Sequence, residues 1–372
     1  MRQNFVPFQL ERQMSIWEYQ VEYNISESGV HPLTIQELLG DPRKVESFLN
    51  TPITYPQTNG LIELRQRIAA LYPGATRDQV LVTTGAAQAN FTTLITMMDP
   101  GDQIVVMLPN YMQIWGVAKN YQLDVRPFYL REELDWGLDL EGLQKAVTKN
   151  TRLIAVCNPN NPTGHILTVE EMNHIIHIAD QTGAWILADE VYAGAERLTD
   201  QFTPSFWGRY EKVLAVGSMS KAYGLPGLRI GWVVAPGDLA EQIWARQDYI
   251  TISASQLSNR LAAFALTPDV RERLLTRTRN HVRRGYERFE GWIEAHHNLF
   301  SLVPPQAAAI AFVRYQRQIN SSELVQRLIR EQSVYVVPGD HFGLDHHLRI
   351  SYGMPVEILD EGLRRLLRVL EE

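Results

Sequence analysis

The stretch Ser218-Met219-Ser220-Lys221-Ala222-Tyr223-Gly224-Leu225-Pro226-Gly227-Leu228-Arg229 sets one lysine beside two hydroxyls, with an arginine eight residues further on. Glycines and a proline bend the chain between them. A lysine amine condenses with an aldehyde only when deprotonated, so burial or a neighbouring cation must lower its pKa. Hydroxyls and a guanidinium can hold a phosphate dianion through charge-assisted hydrogen bonds. The combination suits an aldehyde cofactor that carries a phosphate. A surface lysine and arginine flanking an ordinary loop would give the same letters, and S-x-S-K alone does not separate the two readings.

Three further segments supply what such a cofactor needs. The apolar run Leu153-Ile154-Ala155-Val156-Cys157 leads into Asn158-Pro159-Asn160-Asn161-Pro162-Thr163-Gly164, a buried strand ending in a rigid polar loop. Ala184-Trp185-Ile186-Leu187-Ala188 ends in Asp189-Glu190-Val191-Tyr192. A carboxylate at the carboxyl end of a buried strand is costly unless it meets a positive partner. A protonated pyridine nitrogen is such a partner, and holding that proton makes the ring an electron sink. Val80-Leu81-Val82-Thr83 runs into Thr84-Gly85-Ala86-Ala87-Gln88-Ala89-Asn90 and then a helical pattern. Small residues at a strand-to-helix turn expose backbone N–H groups to a phosphate. Singly, these could be a tight turn, a capping aspartate and a packing glycine. In this order they point to pyridoxal 5′-phosphate (PLP).

On N-P-N-N-P-T-G, A-D-E-V-Y and S-x-S-K-x(7)-R, the chain resembles the fold type I, PLP-dependent aminotransferase superfamily (class I/II) over nearly its whole length. The resemblance implies that Lys221 bonds to the cofactor aldehyde and moves the substrate Cα proton. It implies that Asp189 pairs with the pyridine nitrogen and that Asn161 and Tyr192 bond the phenolic oxygen. Ser218, Ser220, Arg229 and the backbone of Gly85, Ala86 and Ala87 would hold the phosphate. Tyr111 sits where the family stacks an aromatic ring on the cofactor. Tyr55, in Tyr55-Pro56-Gln57-Thr58-Asn59-Gly60, resembles the tyrosine that reaches a neighbouring subunit's phosphate, which implies a homodimer with composite sites. Arg349 matches the arginine that grips the substrate α-carboxylate, a planar fork suited to bidentate pairing.

Composition agrees. The 372 residues suit a large and a small domain sharing a cleft. Net charge is 35 − 42 = −7, which argues against nucleic acid or an anionic membrane as partner. The single Cys157 excludes an intrachain disulfide and suggests a reducing compartment. It reads as a packed thiol. No apolar stretch reaches the ~20 residues of a membrane span, and the N-terminus lacks a basic-then-apolar signal pattern, so a cytoplasmic enzyme is expected.

Strand-like runs near 80–83, 103–108, 124–129, 152–157, 184–188, 212–217 and 229–235 alternate with helical patterns such as Thr168 to Gln181. The expected fold is α/β: a mostly parallel seven-stranded sheet with helices on both faces, plus a smaller α+β domain. Ligands in such sheets sit at the carboxyl ends of the strands, where Gly85, Asn161, Asp189 and Lys221 all fall. Residues 1–51 form an N-terminal segment covering the site, 52–288 the PLP-binding domain and 289–372 the small domain. In the last, 308–315, 334–337 and 348–352 read as strands, with helices over 322–331 and 356–370.

Substrate information lies at the N-terminus. Ordinary family members carry a Gly-x-Pro-Asp/Glu-Phe-type segment there. This chain has Trp17-Glu18-Tyr19 and then Ser26-Glu27-Ser28-Gly29-Val30-His31-Pro32-Leu33-Thr34. These elements resemble a smaller group of PLP enzymes acting on arginine or hydroxyarginine, which includes capreomycidine synthase, arginine oxidase-deaminases and the enduracididine-forming cyclase of guanitoxin biosynthesis. A guanidinium needs a carboxylate facing its planar fork. Glu18 is the first candidate and Glu27 the second; Glu18 could equally be a solvated charge on a helix. Gly29, Val30 and His31 join the substrate side through the same motif, with His31 able to shuttle a proton near neutral pH. His341, His346 and His347 lack the spacing of a known metal site, so no metal is expected.

The group implies a cyclase converting a hydroxylated L-arginine, 4-hydroxyarginine first, to a cyclic guanidino amino acid such as L-enduracididine. The steps would be Cα deprotonation, elimination of the hydroxyl and addition of the guanidine. The alternative is an aminotransferase, or arginine oxidase-deaminase, acting on a basic or aromatic amino acid. A regulator or binding module on the same fold is opposed by the intact Lys221, Asp189 and Arg349.

Overall fold

In a computed structural model, which describes residues 5–371, the apolar runs in the middle of the chain become one sheet. Residues 1–4 and 372, the tips of the expected terminal segments, lie outside the described residues. The short β1 (Tyr23–Asn24) comes first. There follow β2 (Val80–Thr84), β3 (Gln103–Leu108), β4 (Asp124–Arg131), β5 (Gly137–Leu138), β6 (Thr151–Cys157), β7 (Trp185–Asp189), β8 (Val213–Ser218) and β9 (Ile230–Val234). The last eight form one sheet in the order β2-β9-β8-β7-β6-β3-β4-β5. All seven expected strands are present. An eighth, the two-residue β5, turns back antiparallel on β4 at the edge, and β9 runs antiparallel to both its neighbours, so the sheet is mixed though mostly parallel.

Side chains alternate between faces along each strand, and both faces here are apolar. Val105, Ile154, Ile186 and Val213 belong to one core; Ile104, Leu153, Leu187 and Leu214 belong to the other. Burial on both faces explains why the central strands read as unbroken hydrophobic runs. The crossover helix Val169–Thr182 starts at a Thr168/Glu171 capping box and stops at Gly183, whose φ is +71°.

Beyond the sheet, Gly237–Gln247, Gln256–Ala265 and Pro268–Ala295 are helices. The last runs unbroken through residue 288, so the chain leaves the large sheet along a rigid rod. A second sheet, β10 (Phe300–Leu302), β11 (Ile310–Tyr315), β13 (Val337–Pro338) and β14 (His347–Ser351), packs with the helices Ser321–Gln332 and Val356–Glu371 around a separate core. β1 pairs in parallel with β12 (Val334–Tyr335), and Ile25 lies in the same core, so the N-terminal segment is built into this second body. No helix among the described residues is long and apolar enough to cross a membrane. None of their His, Cys, Asp or Glu side chains group in threes or more to hold a metal.

Glu132, just after β4, ties the two bodies together. Its carboxylate accepts from Arg314 Nε at 2.9 Å and lies 3.3 Å from His347 Nε2, a ring stacked on Phe312. Arg314 and His347 are register partners on β11 and β14. Burial would raise the Glu132 carboxyl, but hydrogen bonds from His347 and Arg314 outweigh it and hold it at about 2 against an ordinary 4.5. A depressed folded-state pKa contributes stability that is present above the ordinary value and lost as pH falls through the folded one. Between pH 4.5 and about 2 the parent protein should therefore lose Tm more steeply than Glu132→Gln, measured by thermal unfolding across that range. Parallel slopes would show that this contact does not carry acid sensitivity.

Candidate active site

Four parallel strands deliver groups to the same end of the large sheet. Asp189 ends β7, Asn161 follows β6, Tyr111 follows β3, Ser218 ends β8 and Lys221 lies three residues beyond. These residues, with Ala86, Ala87, Tyr192, Ser220, Arg229, Arg349, Glu18 and Glu27, line one cavity of about 460 Å³.

The cradle at its floor is built by backbone. Gly85 opens the helix Gly85–Met97 with φ +78°, a conformation that favours glycine. A Cβ there would strike the Arg229 guanidinium, and one on Gly231 would strike the backbone of Ala86. Ser218 Oγ lies 2.9 Å from Ser220 Oγ and accepts from Ser220 N at 2.9 Å. Helix-start amides, two hydroxyls and a guanidinium thus converge on one spot, a donor set made for a phosphate.

Asp189 is 6% exposed. Burial pushes its pKa up, against hydrogen bonds from Asn90 Nδ2 at 2.7 Å and Val191 N at 3.2 Å. No cation forms an ion pair with it among the described residues, so a protonated ring nitrogen fits this acid. Asp189 and Glu190 point to opposite sides of the strand. Glu190 Oε1 accepts from Ser205 Oγ and Phe206 N away from the site, and burial raises its carboxyl to about 7. Lys221 Nζ donates to Ser28 Oγ at 2.8 Å. Burial lowers its pKa, as a condensing amine requires. Ser28 also meets the Tyr192 hydroxyl. Cys157 is a buried thiol bonded to Pro159 O at 3.3 Å, and burial raises its pKa.

Arg349 is 1% exposed and donates only to uncharged groups, Asn161 Oδ1 at 3.0 Å, Ser26 O at 2.7 Å and Met14 Sδ at 3.9 Å. Its Nε has no partner. A buried guanidinium without a carboxylate is an incomplete pair, and a substrate α-carboxylate would complete it.

Gly29, Val30 and His31 line a second cavity of about 650 Å³, which shares Glu27, Ser220 and Lys221 with the first. Tyr55 is 84% exposed and lines neither. Three contributors escaped sequence reasoning. Ser28 stood inside the quoted N-terminal motif. Asn90 lies on the helix that Gly85 opens. Glu11, which accepts from the Tyr111 hydroxyl at 2.6 Å, carries no local signal.

A lysine at a sheet edge, facing a buried aspartate above a phosphate cradle, defines a PLP-dependent enzyme of fold type I. The chain belongs to the aminotransferase class I and II family, which matches residues 50–366, and its cofactor is PLP. Capreomycidine synthase from Streptomyces vinaceus is 30% identical over 350 residues, 93% of this chain and 89% of that protein. A solved PLP-dependent aminotransferase from Streptococcus suis has a TM-score of 0.92 at 29% identity, covering 100% of this chain and 98% of its own. The PLP-dependent cyclase OrfR has a TM-score of 0.89 at 27% identity, covering 100% and 98%.

Borohydride reduction of the PLP-loaded protein should fix the coenzyme to Lys221, read by peptide mass spectrometry, and Lys221→Ala should show none. Asn90→Ala removes a hydrogen bond to a charged acid, worth about 1.5–3 kcal/mol. It is expected to weaken PLP retention by about ten-fold or more in equilibrium dialysis, and unchanged retention would remove Asn90 from the site.

Proposed function

We propose that this protein is a PLP-dependent cyclase acting on a hydroxylated L-arginine, 4-hydroxyarginine first, to give a cyclic guanidino amino acid such as L-enduracididine. One observation carries the reading. Glu11, Glu18 and Glu27 line the same cavity as Lys221 and Arg349. Burial raises the Glu18 pKa, and the charges of Glu27 and Glu11 raise it further. Among the described residues no lysine or arginine pairs with Glu18 or Glu27. A cavity with a buried guanidinium for a carboxylate and clustered carboxylates nearby suits an amino acid whose far end is cationic. The likeness to capreomycidine synthase and to a PLP-dependent cyclase supports the same reading.

Bound PLP supplies an electron sink that acidifies the substrate Cα–H. Arg349 holds the α-carboxylate and so points that C–H bond at Lys221. Lys221, whose amine pKa burial lowers, takes the Cα proton. The hydroxyl on Cγ leaves as water with a proton from Cβ. A guanidino nitrogen then bonds to Cγ, and its released proton returns to Cβ as another returns to Cα. The net change is loss of one water, with no oxidant and no amino-group acceptor. Glu18, with Glu11 and Glu27 behind it, orients the guanidinium so that closure outruns attack by solvent. His31, in the adjoining cavity, is the second proton carrier. The active unit in this reading is a two-fold dimer in which exposed Tyr55 reaches the neighbour's phosphate.

The structural likeness to an aminotransferase favours a second reading, amino-group transfer from a basic or aromatic amino acid. Incubation with 4-hydroxyarginine in deuterium oxide, without a keto acid, separates the two. A cyclic product one water lighter, carrying deuterium at Cα, is expected by mass spectrometry. A requirement for 2-oxoglutarate with glutamate formed would replace the cyclase with a transferase. Glu18→Gln should weaken guanidino-substrate binding by about 1.5–3 kcal/mol, measured by the substrate-induced change in cofactor absorbance. An unchanged affinity would assign the guanidinium elsewhere.

A further inference from the structure

The long helix Pro268–Ala295 carries Arg277, His281, Arg284 and Arg288 at spacings that share one face. In a chain of net charge −7, such a cationic stripe is a local exception. It borders a cavity of about 700 Å³, closed on the far side by Tyr352, Met354 and the start of the last helix. Gly285 brings the helix in: a Cβ there would strike the Tyr352 carbonyl. Four acids bear on this face: Asp360 pairs with Arg288, the charge of Glu357 also acts on Arg288, Glu37 acts on Arg277 and His31, and Glu287 stands at the rim. Among the described residues His281, Arg284 and the imidazole of His31 have neither hydrogen bond nor ion pair. The buried Nη1 of Arg277 is also without a partner, while its Nη2 donates to His31 O at 2.6 Å. Burial lowers the His281 pKa, and the charges of Arg277, His31 and Arg284 lower it further, so the field at this point is positive.

We propose that this cavity binds a small multivalent anion of phosphate or carboxylate chemistry, held by Arg284, His281 and His31. Its occupancy would be felt at the active site, because His31 and Met354 line both this cavity and the one that contains Lys221. An anion there gives Arg284 a counter-charge and offsets the positive field at His281. It also fixes the His31 side chain, whose backbone is already held by Arg277 and by Gly353 O.

The test uses PLP-loaded protein titrated with inorganic phosphate and, separately, with citrate, at an ionic strength held constant with sodium chloride. The imidazole resonances of His31 and His281 are followed by NMR. Both should shift saturably, and the His281 imidazole pKa should rise, since a bound anion favours the charged form. Arg284→Glu should weaken the binding by about ten-fold or more, the scale of one lost charge-assisted hydrogen bond. His281→Gln provides a second variant, expected to weaken it in the same direction. Tighter binding of phosphate assigns phosphate chemistry; tighter binding of citrate assigns carboxylates. Non-saturating shifts with both anions, or saturation unaltered in both variants, would overturn the proposal. Neither readout depends on which amino acid the enzyme converts.

Discussion

Asp189 and Arg349 are buried in one cavity and are not paired with each other, and the rest of the site follows from that constraint. Each desolvated charge costs several kcal/mol unless a counter-charge meets it. The hydrogen bonds that hold them come from dipoles: the Asn90 amide and Val191 N–H for the acid, the Asn161 and Ser26 oxygens for the guanidinium, with the charge of Lys221 a lesser influence on Asp189. Such groups hold a charge in place without neutralising it. A pyridinium beside Asp189 and a carboxylate beside Arg349 would supply the missing counter-charges. The two lie on different sheets, at the end of β7 and on β14, so the space between them is a cleft between bodies that Glu132 ties together.

The N-terminal segment forms the third wall and coordinates the other two. Pairing of β1 with β12 fixes its path. From that anchor, Ser26 offers its carbonyl to Arg349 and Ser28 its hydroxyl to Lys221. The helix Gln9–Trp17 lines the cavity through Leu10, Glu11 and Met14, with Glu11 on the Tyr111 hydroxyl, and Phe8 just before it stands edge-on to that ring at 5.0 Å. One stretch of chain thus touches the groups assigned to carboxylate binding, proton movement and cofactor stacking. The carboxylates at 11, 18 and 27 inherit their positions from the same anchor.

Much of this was legible in the sequence, and the physical reasons differ by element. Strands β3 and β6 to β9 could be read because burial on both faces makes them continuous apolar runs ending in chemically marked loops. The two-residue strands β1 and β5 could not, since two residues carry no period; pairing with β12 and with β4 makes them strands. Lys221, Asp189 and Asn161 stand out because strand ends put them where ligands bind, whereas Arg349, in the middle of β14, is marked only by the family resemblance. Asn90 and Glu11 were missed because their importance is tertiary: one supports Asp189 across 99 positions of sequence, the other Tyr111 across 100. The border expected at residue 288 falls inside a helix for a related reason. A change of pattern marks where a new core begins, and a rod can pass from one core to the next without a linker.

The acidic wall also bears on how this chain departs from family members that take dicarboxylic substrates. Glu18 is already raised by burial and by the charges of Glu27 and Glu11, so a second carboxylate at the far end of a substrate would add repulsion to an unrelieved cluster. A guanidinium entering the same space removes that repulsion and gains charge-assisted hydrogen bonds. Under the proposed function, discrimination would be a difference between two states of one cavity, built as much on rejecting the wrong charge as on gripping the right one. The carboxylates that would carry it, Glu11, Glu18 and Glu27, all lie in the N-terminal segment, where this sequence departs from the ordinary family pattern.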